Sequence, residues 1–116
     1  MKRGIDMGTQ LSKDADKLLC ILYKKYLDKR KENVPKNDAK LCGGSNLIRD
    51  TLVPNWSLSD VDNTCWELSR AGMLKVNGSN NSIYLVWLSD SGIVYMENRF
   101  KNGVKEVTEF LTSFIP

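Results

Sequence analysis

The stretch from Ser57 to Leu88, SLSDVDNTCWELSRAGMLKVNGSNNSIYLVWL, restricts this chain to few folds, because its periodicity changes once and abruptly. Leu58, Val61, Cys65 and Leu68 recur at intervals of three and four, the spacing that puts side chains on one face of a helix. Ser59 is read as the N-cap, with Asp60 and Asp62 in the first turn, where the helix dipole favours negative charge. Gly72 supplies the left-handed residue of a C-terminal stop. Beyond it, Met73 to Asn77 and Ser82 to Leu88 read as strands, and Gly78-Ser79-Asn80-Asn81 is turn chemistry. A helix over 59–71 therefore runs straight into a hairpin over 73–88.

The chain ahead of this unit is helical by the same reasoning. Ser12 opens a first helix, with Asp14 and Asp16 in its first turn and an apolar stripe of Ala15, Leu18, Leu19, Leu22, Tyr26 and Leu27. It is expected to end near Arg30, since Pro35 follows. Short helices are expected over 36–41, stopped by Gly43-Gly44 at a small insertion, and over 46–52, capped by Ser45 and stopped before Pro54. After the hairpin, Ser89 caps a helix whose apolar residues Ile93, Met96, Phe100, Val104, Val107, Leu111 and Phe114 step by three or four. It is either one helix or two hinged at Asn102-Gly103, since a helical glycine costs only about 1 kcal/mol. The reading divides the chain into a flexible N-terminus, 1–11, a body, 12–89, and C-terminal helix or helices, 90–116.

Composition narrows the chemistry. The chain has no histidine, which removes the commonest general base and most zinc sites. Asp60-Val61-Asp62-Asn63-Thr64 starts like a calcium loop, but Cys65 and Ala71 occupy positions where that loop needs glycine and glutamate. Gly43-Gly44 lacks the Gly-Lys-Ser/Thr of a phosphate loop. No catalytic residue, metal or cofactor is therefore expected, and the chain is not read as an enzyme. Cys20, Cys42 and Cys65 are odd in number and far apart, so they are read as reduced thiols of a cytoplasmic protein. No apolar run approaches the roughly 18 residues of a membrane span. The net charge of +3 is unevenly spread: residues 1–49 carry 12 Lys/Arg against 6 Asp/Glu, and residues 50–116 carry 5 against 8.

Two phrases carry a resemblance. ELSRAGML, followed by a hairpin and then WLSDSGIVYMENR, resembles small bacterial and phage winged-helix proteins of the YjcQ-like family and, more distantly, MarR- and PadR-type regulators. The resemblance implies a mainly helical α+β fold, a winged helix-turn-helix with a two- or three-stranded wing and a C-terminal helical extension. It also implies a cytoplasmic homodimer that binds double-stranded DNA, with the second helix of the turn motif in the major groove. The Cys42-Gly43-Gly44 insertion departs from the compact pattern.

On that reading the helix over 59–71 turns Ser59, Asn63, Trp66 and Arg70 outward. Asn63 suits adenine and Arg70 suits guanine. The wing offers Lys75, Asn77, Ser79, Asn80 and Asn81, while Lys36, Lys40 and Arg49 supply positive field to a helix made acidic by Asp60, Asp62 and Glu67. Each has a plainer alternative. Arg70 can pair with Glu67 within the helix or be a solvated side chain, Asp60 and Asp62 can serve the helix dipole, and Trp66 is covered by a loop or meets a partner. The rival function is a protein-interaction module that uses Trp66 and the wing. The stripe Val104, Val107, Leu111 and Phe114 either folds over the sheet or forms a helix–helix seam with a second copy; the seam is the expectation.

Overall fold

A computed structural model describes residues 10–79 and 82–113. Asn80, Asn81 and Phe114, and the N-terminus as far as residue 9, lie outside the described residues. The chain is a mainly helical α+β protein with a small antiparallel sheet. Its order is α1 (Lys13–Lys31), α2 (Lys36–Lys40), β1 (Leu41–Gly43), α3 (Ser45–Leu52), α4 (Leu58–Arg70), β2 (Leu74–Ser79), β3 (Ser82–Leu88), α5 (Asp90–Arg99) and α6 (Val104–Thr112). The three strands lie in the order β1-β3-β2, with both pairs antiparallel. This order is compatible with a winged-helix arrangement.

Helix α1 is the central element. Ser12 caps it, its hydroxyl accepting from the Ala15 N–H at 3.1 Å, and Asp14 and Asp16 occupy the first turn as expected. Because α4, α5 and α6 all pack on α1, its buried arc is wider than the sequence stripe. It takes in Cys20 and Tyr23 besides Ala15, Leu18, Leu19, Leu22 and Tyr26, while Leu27 is only half-buried.

Helix α4 starts earlier than its sequence pattern indicated. Ser57, not Ser59, is the N-cap, and its hydroxyl accepts from the Asp60 N–H at 3.0 Å. The reason is geometric: the capping oxygen must reach the amide three residues on, and from Ser57 that amide belongs to Asp60. Asp62 consequently falls outside the first turn. At the other end Gly72 has φ +81°, the left-handed stop its position predicts.

The sheet holds two corrections. Gly43-Gly44 was expected only to end a helix, yet Leu41 and Gly43 pair with Trp87 and Val86 as a third strand. A Cβ on Gly44 would lie 2.7 Å from the Tyr84 carbonyl oxygen, so the glycine lets α3 begin hard against β3. Gly44, rather than Ser45, is accordingly the N-cap of α3. The second correction is in β3. Strict alternation would place Ile83 with Leu85 and Trp87, but Asn77 pairs with Leu85 and Gly78 with Ile83, leaving Tyr84 as an extra, bulged residue. Ile83 thereby joins Val86 and Leu88 in the core, and Tyr84 turns outward.

The C-terminal part is two helices. Gly103 has φ +66°, a conformation that breaks the helix, and α6 folds back on α1. Val107 is fully buried within the single chain, and Val104 and Leu111 are half-buried. The stripe offered as an intersubunit seam is therefore in part an intrachain contact, and it covers α1 rather than the sheet.

Candidate nucleic-acid interface

The face proposed to meet nucleic acid is built on α4, which follows α3 through the turn Val53–Ser57. Three of its four expected outward residues, Ser59, Asn63 and Arg70, are exposed. Trp66 is not among them. It is half-buried against the core, and its indole nitrogen is enclosed without a hydrogen-bond partner among the described residues, as is Oδ1 of Asp62 one turn before it. With α1 on one side and α3 and β2 on others, α4 is covered over more of its circumference than a four-residue stripe indicates. That coverage also buries Thr64.

The charges of α4 are disposed in a way that spacing alone did not reveal. Glu67 does not pair with Arg70. It reaches the start of α1, accepting from the Ser12 N–H at 2.9 Å and from the Ser12 hydroxyl at 2.8 Å. Asp62 is half-buried. Asp60 is the exposed carboxylate of the helix, and Arg70 makes no hydrogen bond or ion pair with the described residues. The fully exposed side chains of the outward surface are thus a hydroxyl, an amide, one carboxylate and one guanidinium, with the carboxylates of Asp62 and Glu67 set back from it.

On the hairpin, Lys75, Asn77 and Ser79 are exposed as expected; Asn80 and Asn81 lie outside the described residues. The supporting cations divide. Arg49 is tied to its neighbour Asp50 at 2.6 Å. Lys40 is tied to Asp90 at 2.6 Å, although 50 residues separate them. The hydrogen bond from Lys40, and then its charge, hold the Asp90 carboxyl below its ordinary range, and Lys36 and Lys75 act on it in the same direction. Lys36, Lys40 and Lys75 therefore form one basic cluster around Asp90, beside Trp87, which is the register partner of Lys75. Nothing local in the sequence marked this cluster, because the pairing of β1 with β3 is what assembles it.

The hairpin also carries apolar surface. Tyr84 is 64% exposed and Leu85 36%, a consequence of the bulge. The three cysteines are free, and Cys20 and Cys65 are wholly buried. Burial pushes the thiols of Cys20 and Cys65 up to about 12 and that of Cys42 up to about 11, so none is poised as a nucleophile at neutral pH.

The chain matches no family model, no curated protein and no solved structure.

Proposed function

We propose that this chain is a DNA-binding winged-helix protein, a small regulator that sets α4 in the major groove and uses the β2–β3 hairpin as its wing. The observation that carries the reading is the surface of α4. Its exposed side has Asn63 and Arg70, while Glu67 is turned to Ser12 and Asp62 is half-buried, so Asp60 is the one carboxylate of the helix that stands fully exposed toward the phosphates. The order of helices and strands, with sheet order β1-β3-β2, supports the same reading. Lys36 and Lys75 are exposed cations available to the phosphate backbone, whereas Lys40 and Arg49 are already committed to carboxylates. In the proposed complex a second copy reads the second half-site about a two-fold axis, joined through the part of α6 that α1 leaves uncovered.

A second reading, an interaction module that binds protein, is favoured by one observation: Tyr84 and Leu85 place apolar surface on the hairpin, where a DNA wing is usually polar. Titration of random duplex DNA at two salt concentrations separates the two. Affinity that falls steeply with salt is the expected result; no binding at low salt transfers the hairpin to a protein partner.

A further inference from the structure

Apart from any DNA contact, a cavity opens between α1, α2, β1 and α3. Its volume is about 340 Å³, inside the roughly 300–1,000 Å³ of small-molecule sites. Leu22, Tyr26, Leu41 and Leu52 give it apolar walls, and the charged residues lining it, Lys25 and Lys29, are both cationic. Lys29 is oriented by donating to the Leu41 carbonyl at 2.8 Å, which leaves further N–H groups of the ammonium free. Lys25 is exposed and makes no hydrogen bond or ion pair with the described residues; Asp28, one turn along α1, is held by Lys24 at 3.0 Å. Leu47, 53% exposed, also lines the cavity, and an occupant would cover it.

We propose that this cavity binds an apolar monocarboxylate, with its tail among the leucines and Tyr26 and its carboxylate at Lys25 and Lys29. The apolar walls disfavour a ligand with many hydroxyls, which would be buried unpaired. The two cations, with no acidic residue among the lining groups, set the sign and the place of the single charge. The site borders α3, the helix that leads into α4, but its existence does not depend on DNA being bound.

Calorimetric titration of the full chain with octanoate, octan-1-ol and octylammonium tests the assignment. Octanoate is expected to bind, octanol about tenfold more weakly or worse, and octylammonium not at all. Lys25→Gln should lower octanoate affinity by about tenfold while leaving octanol unchanged. Thr51→Trp, at an exposed lining position, should block both without disturbing the core. No binding of octanoate, equal binding of octanoate and octanol, or binding unchanged by Thr51→Trp would each overturn the proposal.

Discussion

Glu67 accepts two hydrogen bonds from Ser12, one from its backbone N–H at 2.9 Å and one from its hydroxyl at 2.8 Å. The contact joins α4 to the positive end of α1, so it both ties two helices and places a carboxylate where the dipole of α1 favours it. Ser12 has a second task, accepting from the Ala15 N–H as the N-cap. Ser12→Ala should therefore destabilise the protein by about 1–2 kcal/mol, and Glu67→Ala by about 1 kcal/mol. In a double-mutant cycle, read by urea denaturation, the two losses should fall short of additivity by at least about 0.5 kcal/mol. Full additivity would mean that the Ser12 hydroxyl does not hold Glu67 in solution, the backbone N–H bond being present in both backgrounds.

Arg99 joins the end of α5 to the start of α1. Its guanidinium donates to both carboxylate oxygens of Asp16, the Nη2–Oδ2 bond being 3.0 Å, and lies 4.8 and 4.5 Å from the ring centroids of Phe100 and Phe110. The Asp16 hydrogen bond raises the Arg99 pKa above its ordinary value. A planar fork stacked on rings is not replaced by an ammonium. Arg99→Lys is accordingly expected to lose most of what Arg99→Ala loses, roughly 1–3 kcal/mol, seen as a fall in Tm. A lysine variant as stable as the original would show that only the charge mattered.

What could be read in advance was local. Ser12 and Ser89 were legible as caps because a cap is decided within four residues; the Ser89 hydroxyl accepts from the Gly92 N–H at 2.8 Å. The second bond of that hydroxyl, donated to the Gly72 carbonyl at 2.6 Å, was not legible, since it depends on the hairpin returning the chain to the end of α4. The same holds for β1. Three residues containing a glycine are too short to show alternation, and their strand identity comes from β3. The exposed face of α4 is readable at Ser59, Asn63 and Arg70, but whether Trp66 is covered or free is not, because a helical wheel does not count the neighbours a helix will acquire.

The thiols make stability depend on alkaline pH. Burial raises Cys20 and Cys65 from 9.0 to about 12, so the folded chain holds these protons more tightly than the unfolded chain. Their contribution is complete below about pH 9, the unfolded value, and is lost as pH rises toward 12. Each of the two should lower the unfolding free energy by up to about 1.4 kcal/mol per pH unit in that window. Tyr23, raised from 10.0 to about 12 by burial and then by Glu97, adds to the slope above pH 10. Denaturant midpoints should be level from pH 8 to about 9 and fall from there to pH 11. A Cys20→Ala, Cys65→Ala double variant should show a shallower fall than the original chain, with Cys42, raised to about 11, and Tyr23 left to carry the remainder; an equally steep fall would remove Cys20 and Cys65 as its cause.

Gly92 marks a close approach between α5 and the chain entering β2. A Cβ there would lie 2.3 Å from the Met73 carbonyl oxygen, which itself accepts from the Ser89 N–H at 3.0 Å. Both atoms that would have to separate are fixed by the backbone, so no rotamer change relieves the overlap. Gly92→Ala should cost roughly 1–3 kcal/mol even though alanine favours helix. The comparison variant is Ser91→Ala on the same turn, at an exposed position, where the change should be neutral within about 0.5 kcal/mol. Equal stability of the two variants would contradict the contact.

In the proposed DNA complex, residues that would read bases are separable from residues that would attract phosphate. Asn63 and Arg70 are exposed on α4 and uncommitted, so Asn63→Ala and Arg70→Ala should each weaken specific binding by roughly 1–3 kcal/mol while leaving random duplex almost unaffected. Lys36 and Lys75 belong to the cluster around Asp90, and their replacement by alanine should weaken all sequences alike and reduce the salt slope by about 1 each. Lys40→Ala should act about as strongly as either, because the Lys40–Asp90 pair, closed at 2.6 Å, is neutral and its loss leaves one uncompensated carboxylate. Restoring neutrality with the Lys40→Ala, Asp90→Asn pair should recover part of that loss. Salt titrations of the six variants read these outcomes directly. If every lysine variant keeps the original slope, the cluster stands outside the interface; if Asn63→Ala and Arg70→Ala bind their best site as the original chain does, α4 does not read bases.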